Sequence, residues 1–265
     1  MMKIAVCIKQ VPDTRGVKMD EATGTVVRDG VELIVNPLDL YAIELALQLR
    51  ERYGAEVDAF TMGPPQAAGA LREALAMGID NAFLICGREF AGSDTWSTGY
   101  ALSEAIRSQG PYQLLICGER ATDGDTGQVG PGIAAALEWP VAAYVNHFHG
   151  MNGESCDVSR ILEHGVERLT LTLPAVITVV KEVGEPRLPT LRGKLRAKAQ
   201  EIPVLDAEKL GLKTEWLGLK GSPTRVVKIF HPQITRECVK LPARDERERS
   251  AAIPRALAFI REAMP

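Results

Sequence analysis

The residues best placed to do chemistry lie in one stretch, Asp123-Gly-Asp-Thr-Gly-Gln-Val-Gly-Pro131. Its glycines, Gly124, Gly127 and Gly130, recur at every third position. Glycine lets a backbone turn sharply and approach a ligand closely. An apolar run, Leu114 to Cys117, precedes it and reads as a buried strand that breaks at Gly118. A helix is predicted over 126–137, with Asp125 or Thr126 capping its first turn. The unpaired N–H groups and partial positive charge of such a helix start suit a phosphate or pyrophosphate. An ordinary strand-to-helix turn has the same composition, and spacing alone leaves both readings open. Asp123 and Asp125 could bind a metal or act as acid and base, but two positions apart in a capping loop they are expected to satisfy backbone donors.

Familiar catalytic signatures are missing. The chain has no G-x-x-x-x-G-K-[ST], no G-x-G-x-x-G after its first strand, no G-x-S-x-G elbow and no H-E-x-x-H. His147 and His149 would share one face of a strand, but no further ligands are evident, so no metal is expected. The five cysteines, Cys7, Cys86, Cys117, Cys156 and Cys238, are scattered and read as reduced. A nucleotide pocket without a catalytic set points to a cofactor that carries the chemistry, so no catalytic side chain is nominated.

The surrounding elements must position this loop. Lys3 to Val11 is mostly apolar, as a central parallel strand is. A polar, hairpin-like segment over 17–30 follows, and Asn36-Pro37 then opens a helix with Asn36 as its cap. Val57 to Met62, Asn81 to Cys86, the stretch from Leu114, and Val141 to Phe148 are further strands. Between them, Ala67 to Met77 and a segment capped by Ser93-Asp94 are helices. This alternation predicts an α/β fold with a doubly wound, mostly parallel sheet, whose ligands sit beyond the carboxyl ends of the strands. Lys9-Gln10, Met62-Gly63, Gly87-Arg88 with Asp94-Thr95, and the glycine-rich loop should converge there.

After Gly150 the pattern changes. Cys156–Leu162 and Glu167–Leu173 read as a β-hairpin around His164-Gly165, and Ala175 to Val180 as another strand. Glu185-Pro-Arg-Leu-Pro-Thr-Leu191 is a proline-stiffened loop exposing Leu188 and Leu191. The basic stretch Arg192–Lys198 is either a solvated face or a docking surface. From Asp206 core signals thin out, and the charge run Arg244–Arg249 leads to a final amphipathic helix, Ile253 to Met264.

Composition excludes other classes. Apolar residues make up 46% of the 265, enough for a sizeable core, and charged residues 25%. A net charge of −3 gives no reason to expect nucleic acid or an anionic membrane. No run approaches the ~20 apolar residues of a membrane span. The N-terminus enters a strand directly, unlike a signal peptide, so the expected location is cytoplasmic.

Taken in order, the motifs resemble the beta (small) subunit of electron-transferring flavoproteins over about the first 200 residues. They are Cys7-Ile-Lys-Gln-Val-Pro-Asp-Thr14, Asn36-Pro37, Ala74-Leu-Ala-Met-Gly78, Asp123–Pro131 and Glu185-Pro-Arg-Leu-Pro-Thr-Leu-Arg192. The family's basic signature ends in a lysine run, which here is degraded to Arg196-Ala-Lys-Ala-Gln200. The resemblance implies a Rossmann-like domain of the adenine-nucleotide-binding type over 1–205, with the hairpin and recognition loop. It also implies a C-terminal arm over 206–265 packing on an alpha subunit that carries FAD.

Ordinary members hold AMP in the beta subunit. Electron-bifurcating members hold a second FAD, which accepts a hydride from NADH and splits the pair between a dehydrogenase of the acyl-CoA type and a low-potential acceptor such as ferredoxin or flavodoxin. Val27–Gly30, Thr61–Pro65, Phe90–Thr98 and Asp123–Thr126 are similar to bifurcating sequences. NADH oxidation would then belong to the complex.

The resemblance carries over residue by residue. Cys7 and Lys9 end the first strand, Asn36 lies beside the adenosine, and Met62 and Gly63 approach from the second strand. Asp94, Thr95 and Thr98 meet phosphates or ribityl chain. Asp123, Gly124, Asp125, Thr126, Gly127, Gln128, Val129, Gly130 and Pro131 bind the phosphates. Glu185, Arg187, Leu188 and Leu191 dock a partner, with Leu191 as the inserted anchor. A nucleotide-binding regulatory module would have no use for that loop. An ATP-dependent ligase of the same broad fold should carry a Ser-Gly-Gly-type loop where Lys9–Asp13 stands.

Overall fold

The computed structural model describes residues 2–13, 32–227 and 238–263. The segment expected over 17–30, with its Val27–Gly30 motif, lies outside the described residues. The chain divides into two compact units, Met1–Arg225 and Val226–Pro265.

At the centre of the first unit is β1 (Lys3–Cys7). Ile4 and Val6 enter one apolar layer and Ala5 and Cys7 the opposite one, so both strand faces are buried. That burial explains an unbroken apolar run. β2 (Gln10–Pro12) and β3 (Leu33–Val35) form a small antiparallel pair beyond it. Next come α1 (Asp39–Tyr53), β4 (Glu56–Met62), α2 (Ala68–Met77), β5 (Asn81–Ile85), α3 (Thr95–Gln109), β6 (Leu114–Gly118) and α4 (Val129–Leu137). β7 (Val141–Met151), β8 (Ser155–Leu162), β9 (Gly165–Thr172) and β10 (Ala175–Val179) follow, then α5 (Leu191–Ala199), β11 (Val204–Leu205) and the single turn α6 (Gly218–Gly221).

Nine strands of the described residues make one sheet, in the order β11-β5-β4-β1-β6-β10-β7-β8-β9. It is parallel from β11 to β7 and antiparallel through β8 and β9. α1 and α2 pack in one layer, α3 and α4 in the other. The expected doubly wound sheet with its hairpin is therefore present. The chain winds from β1 out to β4 and β5, and α3 then carries it back to β6 on the other side of β1. The crevice of this topological switch opens above the carboxyl ends of β1 and β6.

Three local expectations need correction. Residues 206–225 pack with the first unit, burying Ala207, Leu212 and Leu217 beside α3 and α4. Such widely spaced apolar residues leave no periodic signal. In the basic stretch, Arg196 donates to the carbonyls of Leu75 and Ile79 at 2.8 and 2.7 Å, and Ala197 is buried. One side of α5 is thus a structural contact with the end of α2. In the second unit, α7 (Glu246–Ala263) begins within the charge run, not at Ile253. Asp245 accepts the Glu248 amide at 2.7 Å and the Glu248 carboxylate accepts the Arg244 amide at 2.8 Å, a reciprocal cap that starts the helix early.

Candidate functional site

Two buried polar side chains hold the strand ends together. Asn36, expected to cap α1, serves the neighbouring loop instead. Its side-chain amide donates to the Arg120 carbonyl at 2.9 Å, and its side-chain carbonyl accepts the Thr122 amide at 3.2 Å. α1 starts at Asp39, flanked by Leu38 without a side-chain cap. The Asp39 carboxylate accepts the Lys9 amide at 2.7 Å and is also hydrogen-bonded by the Gly118 amide and Asn36. Burial pushes its pKa up to about 7 despite those donors and the nearby Lys9 charge. Gly118 is required at the end of β6, because a Cβ there would lie 2.3 Å from the Asp39 carboxylate.

The glycine-rich loop stands on this base. The amides of Gly124 and Asp125 turn back to the Ala121 carbonyl at 3.3 and 2.8 Å, and Asp125 and Gly127 take left-handed φ of 51° and 62°. This delays α4 to Val129, so neither Asp125 nor Thr126 caps it. Its flanking residue, Gln128, makes no side-chain cap either. Among the described residues, the amides of 126–130 have no protein acceptor, and Pro131 has no amide to offer. Gly124 faces open space, and Gly130 is pressed onto the sheet, where a Cβ would lie 2.6 Å from Thr178.

The two loop aspartates meet cations, not the backbone donors expected for them. Lys9 Nζ reaches Asp123 at 2.7 Å and Arg120 Nε reaches Asp125 at 3.0 Å. Both pairs are solvent-exposed and contribute little to stability. Lys9 and Arg120 are thereby each engaged by a carboxylate of the loop.

From the other side, Thr95 Oγ1 donates to Gln128 Oε1 at 3.1 Å, joining the start of α3 to the loop. Asp94 caps α3 as expected, accepting the Trp96 and Ser97 amides at 3.0 and 3.1 Å. Its second oxygen accepts the Thr224 amide and hydroxyl at 2.9 and 2.8 Å. Burial would raise the Asp94 pKa, but these donors hold it below the usual carboxylate range. Thr98 lies one turn further along α3, its amide on the Asp94 carbonyl. Cys7 is buried opposite its parallel partner Cys117, whose thiol hydrogen-bonds it and pushes its pKa up. Met62 and Gly63 end β4, next to β1, and the Gly63 amide is held by the Ile85 carbonyl at 3.0 Å. Among the described residues, no hydrogen bond or ion pair links Met62, Gly63 or Thr98 to the loop.

The loop of residues 185–191 is tied to α1 by Arg187, which pairs with Glu44 at 2.8 Å and with Glu51 at 2.5 Å. Burial alone would raise the Glu44 pKa, and hydrogen bonds from Arg187 and Gln48 outweigh it and lower it. Arg187, expected among the docking residues, is therefore a clamp within the chain. Glu185, Leu188 and Leu191 remain exposed, the two leucines at 86% and 77%. Thr190 caps α5 through the Gly193 amide and so orients Leu191.

Sequence reasoning missed Asp39 and Arg120. Asp39 carried a usable signal, an acid in the first turn of a helix beside Asn36-Pro37. Arg120 acquires its place only through the sheet. Histidines 147 and 149 meet edge to face with ring centroids 4.5 Å apart, and no metal-ligating cluster exists among the described residues. No helix of the described residues is long and apolar enough to cross a membrane.

A parallel α/β sheet with free backbone donors at its topological switch is an arrangement suited to an anionic ligand at its strand ends. Residues 23–210 match the model of the electron transfer flavoprotein domain. Similar chains include an electron transfer flavoprotein subunit beta of Thermoanaerobacterium thermosaccharolyticum, 45% identical over 89% of this chain and 90% of the relative. The caffeyl-CoA reductase-Etf complex subunit CarD of Acetobacterium woodii is 44% identical over 87% and 88%, and the protein FixA of Azotobacter vinelandii 43% identical over 88% and 85%. The chain belongs to the electron transfer flavoprotein family and is similar to its beta subunits.

Proposed function

We propose that this chain is the beta subunit of a heterodimeric electron transfer flavoprotein and that its glycine-rich loop holds the phosphates of FAD. The observation that carries this reading is the set of amides at 126–130, unpaired among the described residues, at the switch of the sheet. The residues fit the group. Gly124 leaves room above the loop, Gly127 supplies the left-handed turn, and the N–H groups of 126–130 face no competing acceptor among the described residues. Bound there, FAD would supply hydride acceptance from NADH and delivery of one electron each to the alpha-subunit flavin, which serves a dehydrogenase, and to a low-potential acceptor. The chain's own part is to grip the phosphates through 126–130, to hold the loop through Asn36 and Asp39, and to present Leu188 and Leu191 to the dehydrogenase.

The similarity of Thr61–Pro65, Phe90–Thr98 and Asp123–Thr126 to bifurcating sequences favours FAD over AMP. The exposed Ile253, Leu257 and Ile260 of α7 suit an arm that packs on the alpha subunit. Co-expression with that subunit and a count of released cofactors tests the reading. Two FAD per heterodimer are expected. One FAD and one AMP would make the complex a simple electron carrier.

A further inference from the structure

β7 carries an irregularity beside the glycine-rich loop. Ile177 of β10 pairs with Ala142 and Val179 with Val145, so Ala143 and Tyr144 together oppose Thr178. This is a β-bulge, a device that re-aims a side chain. Tyr144 takes the left-handed conformation there, with φ of 60°. A bulky side chain strains the backbone at that angle, and glycine would not. The bulge is locked by Thr178, whose Oγ1 accepts the Tyr144 amide at 3.1 Å and whose methyl abuts Gly130. The ring is half exposed, and its hydroxyl lies 3.4 Å from the place a Gly127 Cβ would occupy. No protein partner is recorded for that hydroxyl among the described residues. A strained aromatic residue thus brings an uncommitted donor to the left-handed glycine beside the free amides.

We propose that Tyr144 is a nucleotide-positioning residue whose hydroxyl donates a hydrogen bond to a phosphate oxygen held by the amides of 126–130. The assignment rests on the phosphate-binding reading of that loop and adds a residue from outside it. A need for the hydroxyl explains why glycine, which would relieve the strain, does not occupy the site. A smooth strand would carry the phenol away from the loop, and glycine would keep the bulge without a donor.

The test uses the heterodimer freed of its beta-site nucleotide, with AMP and FAD as probes in equilibrium dialysis. Tyr144→Phe keeps ring and bulge and should weaken binding about tenfold, the scale of a hydrogen bond to a charged acceptor. Tyr144→Gly relieves the strain, so the stripped complex should melt at or above the wild-type temperature while binding at least as weakly as Tyr144→Phe. The phosphorus resonance of bound AMP should move in Tyr144→Phe, which a purely structural role would not cause. Wild-type binding of both probes within twofold of both variants overturns the assignment of Tyr144 alone. A wild-type complex that takes up neither probe overturns the phosphate-binding reading itself, and this assignment with it.

Discussion

The side-chain amide of Asn36 lies 2.9 Å from the carbonyl of Arg120, across the boundary between the start of α1 and the glycine-rich loop. Asn36 is fully buried, and its other end accepts the Thr122 amide. One side chain thus sets the height of the loop above the sheet. Asn36→Leu removes both bonds and strands two backbone groups. A loss of about 2–3 kcal/mol is expected from groups left unpaired in a buried place. Urea titration of the heterodimer should show it, together with reduced beta-site nucleotide after gel filtration. Unchanged nucleotide content would mean that the loop holds its shape without this tether.

Gly127 and Gly130 should resist substitution for different reasons. Gly127→Val forces a branched residue into φ of 62°, at a cost of about 1–3 kcal/mol. Gly130→Val drives α4 off β10, because its Cβ would lie 2.6 Å from Thr178, and overpacking of this kind costs about 1–3 kcal/mol. Both variants should purify without beta-site nucleotide. Full cofactor content in either would remove the loop from the pocket.

Asp39 should leave a mark on the pH dependence of stability. Its folded pKa of about 7 lies above the ordinary aspartate value of 3.8, so the folded chain retains a proton that the unfolded chain releases. The stability this contributes is fully present below the lower value and declines as pH rises through the folded one. Asp39→Asn mimics the protonated form and should flatten that decline. Melting temperatures of wild type and variant, compared from pH 4 to pH 8, check it. Parallel curves would show that Asp39 does not titrate in this range.

Arg187 and Leu191 separate clamping from docking. Arg187→Ala leaves the buried Glu44 carboxylate without its partner and should cost about 2 kcal/mol, reduced from the value of a dry pair because Arg187 is partly solvated. The same pair makes the clamp acid-sensitive. Glu44 has a lowered pKa, so its contribution is present above its unfolded value of 4.5 and is lost as pH falls through the folded one.

Leu191→Ala, at a 77% exposed position, should change stability by less than about 0.5 kcal/mol. It should weaken transfer to the partner dehydrogenase about five- to thirtyfold, with flavin reduction by NADH intact. Stopped-flow measurement of the two half-reactions distinguishes them. If reduction fell instead, the loop would belong to the redox site.

The elements that could be read from the chain are those whose signal is local. The unbroken apolar run of β1, the Asp94 cap of α3 and the turn at His164-Gly165 need only neighbours in sequence. So does the glycine spacing of 124–130, since turn geometry is a property of a few consecutive residues. α4 starts three residues later than expected because Asp125 turns left-handed with its amide on the Ala121 carbonyl and Gly127 turns left-handed after it. Arg187 looked free for a partner because Glu44 stands far away in sequence.

By itself, the order of residues determined an alternating α/β chain, a glycine-lined turn after its fourth strand and an exposed leucine in a stiff loop. Only the tertiary structure decided that β10 enters between β6 and β7, that a bulge of β7 brings the Tyr144 hydroxyl to Gly127, and that Asn36 serves the loop instead of capping a helix. The physical reason is range. Caps, turns and apolar periods are settled within one turn of helix or strand, whereas a buried polar group takes whichever partner the finished sheet brings within 3 Å, as Arg120 is brought to Asn36.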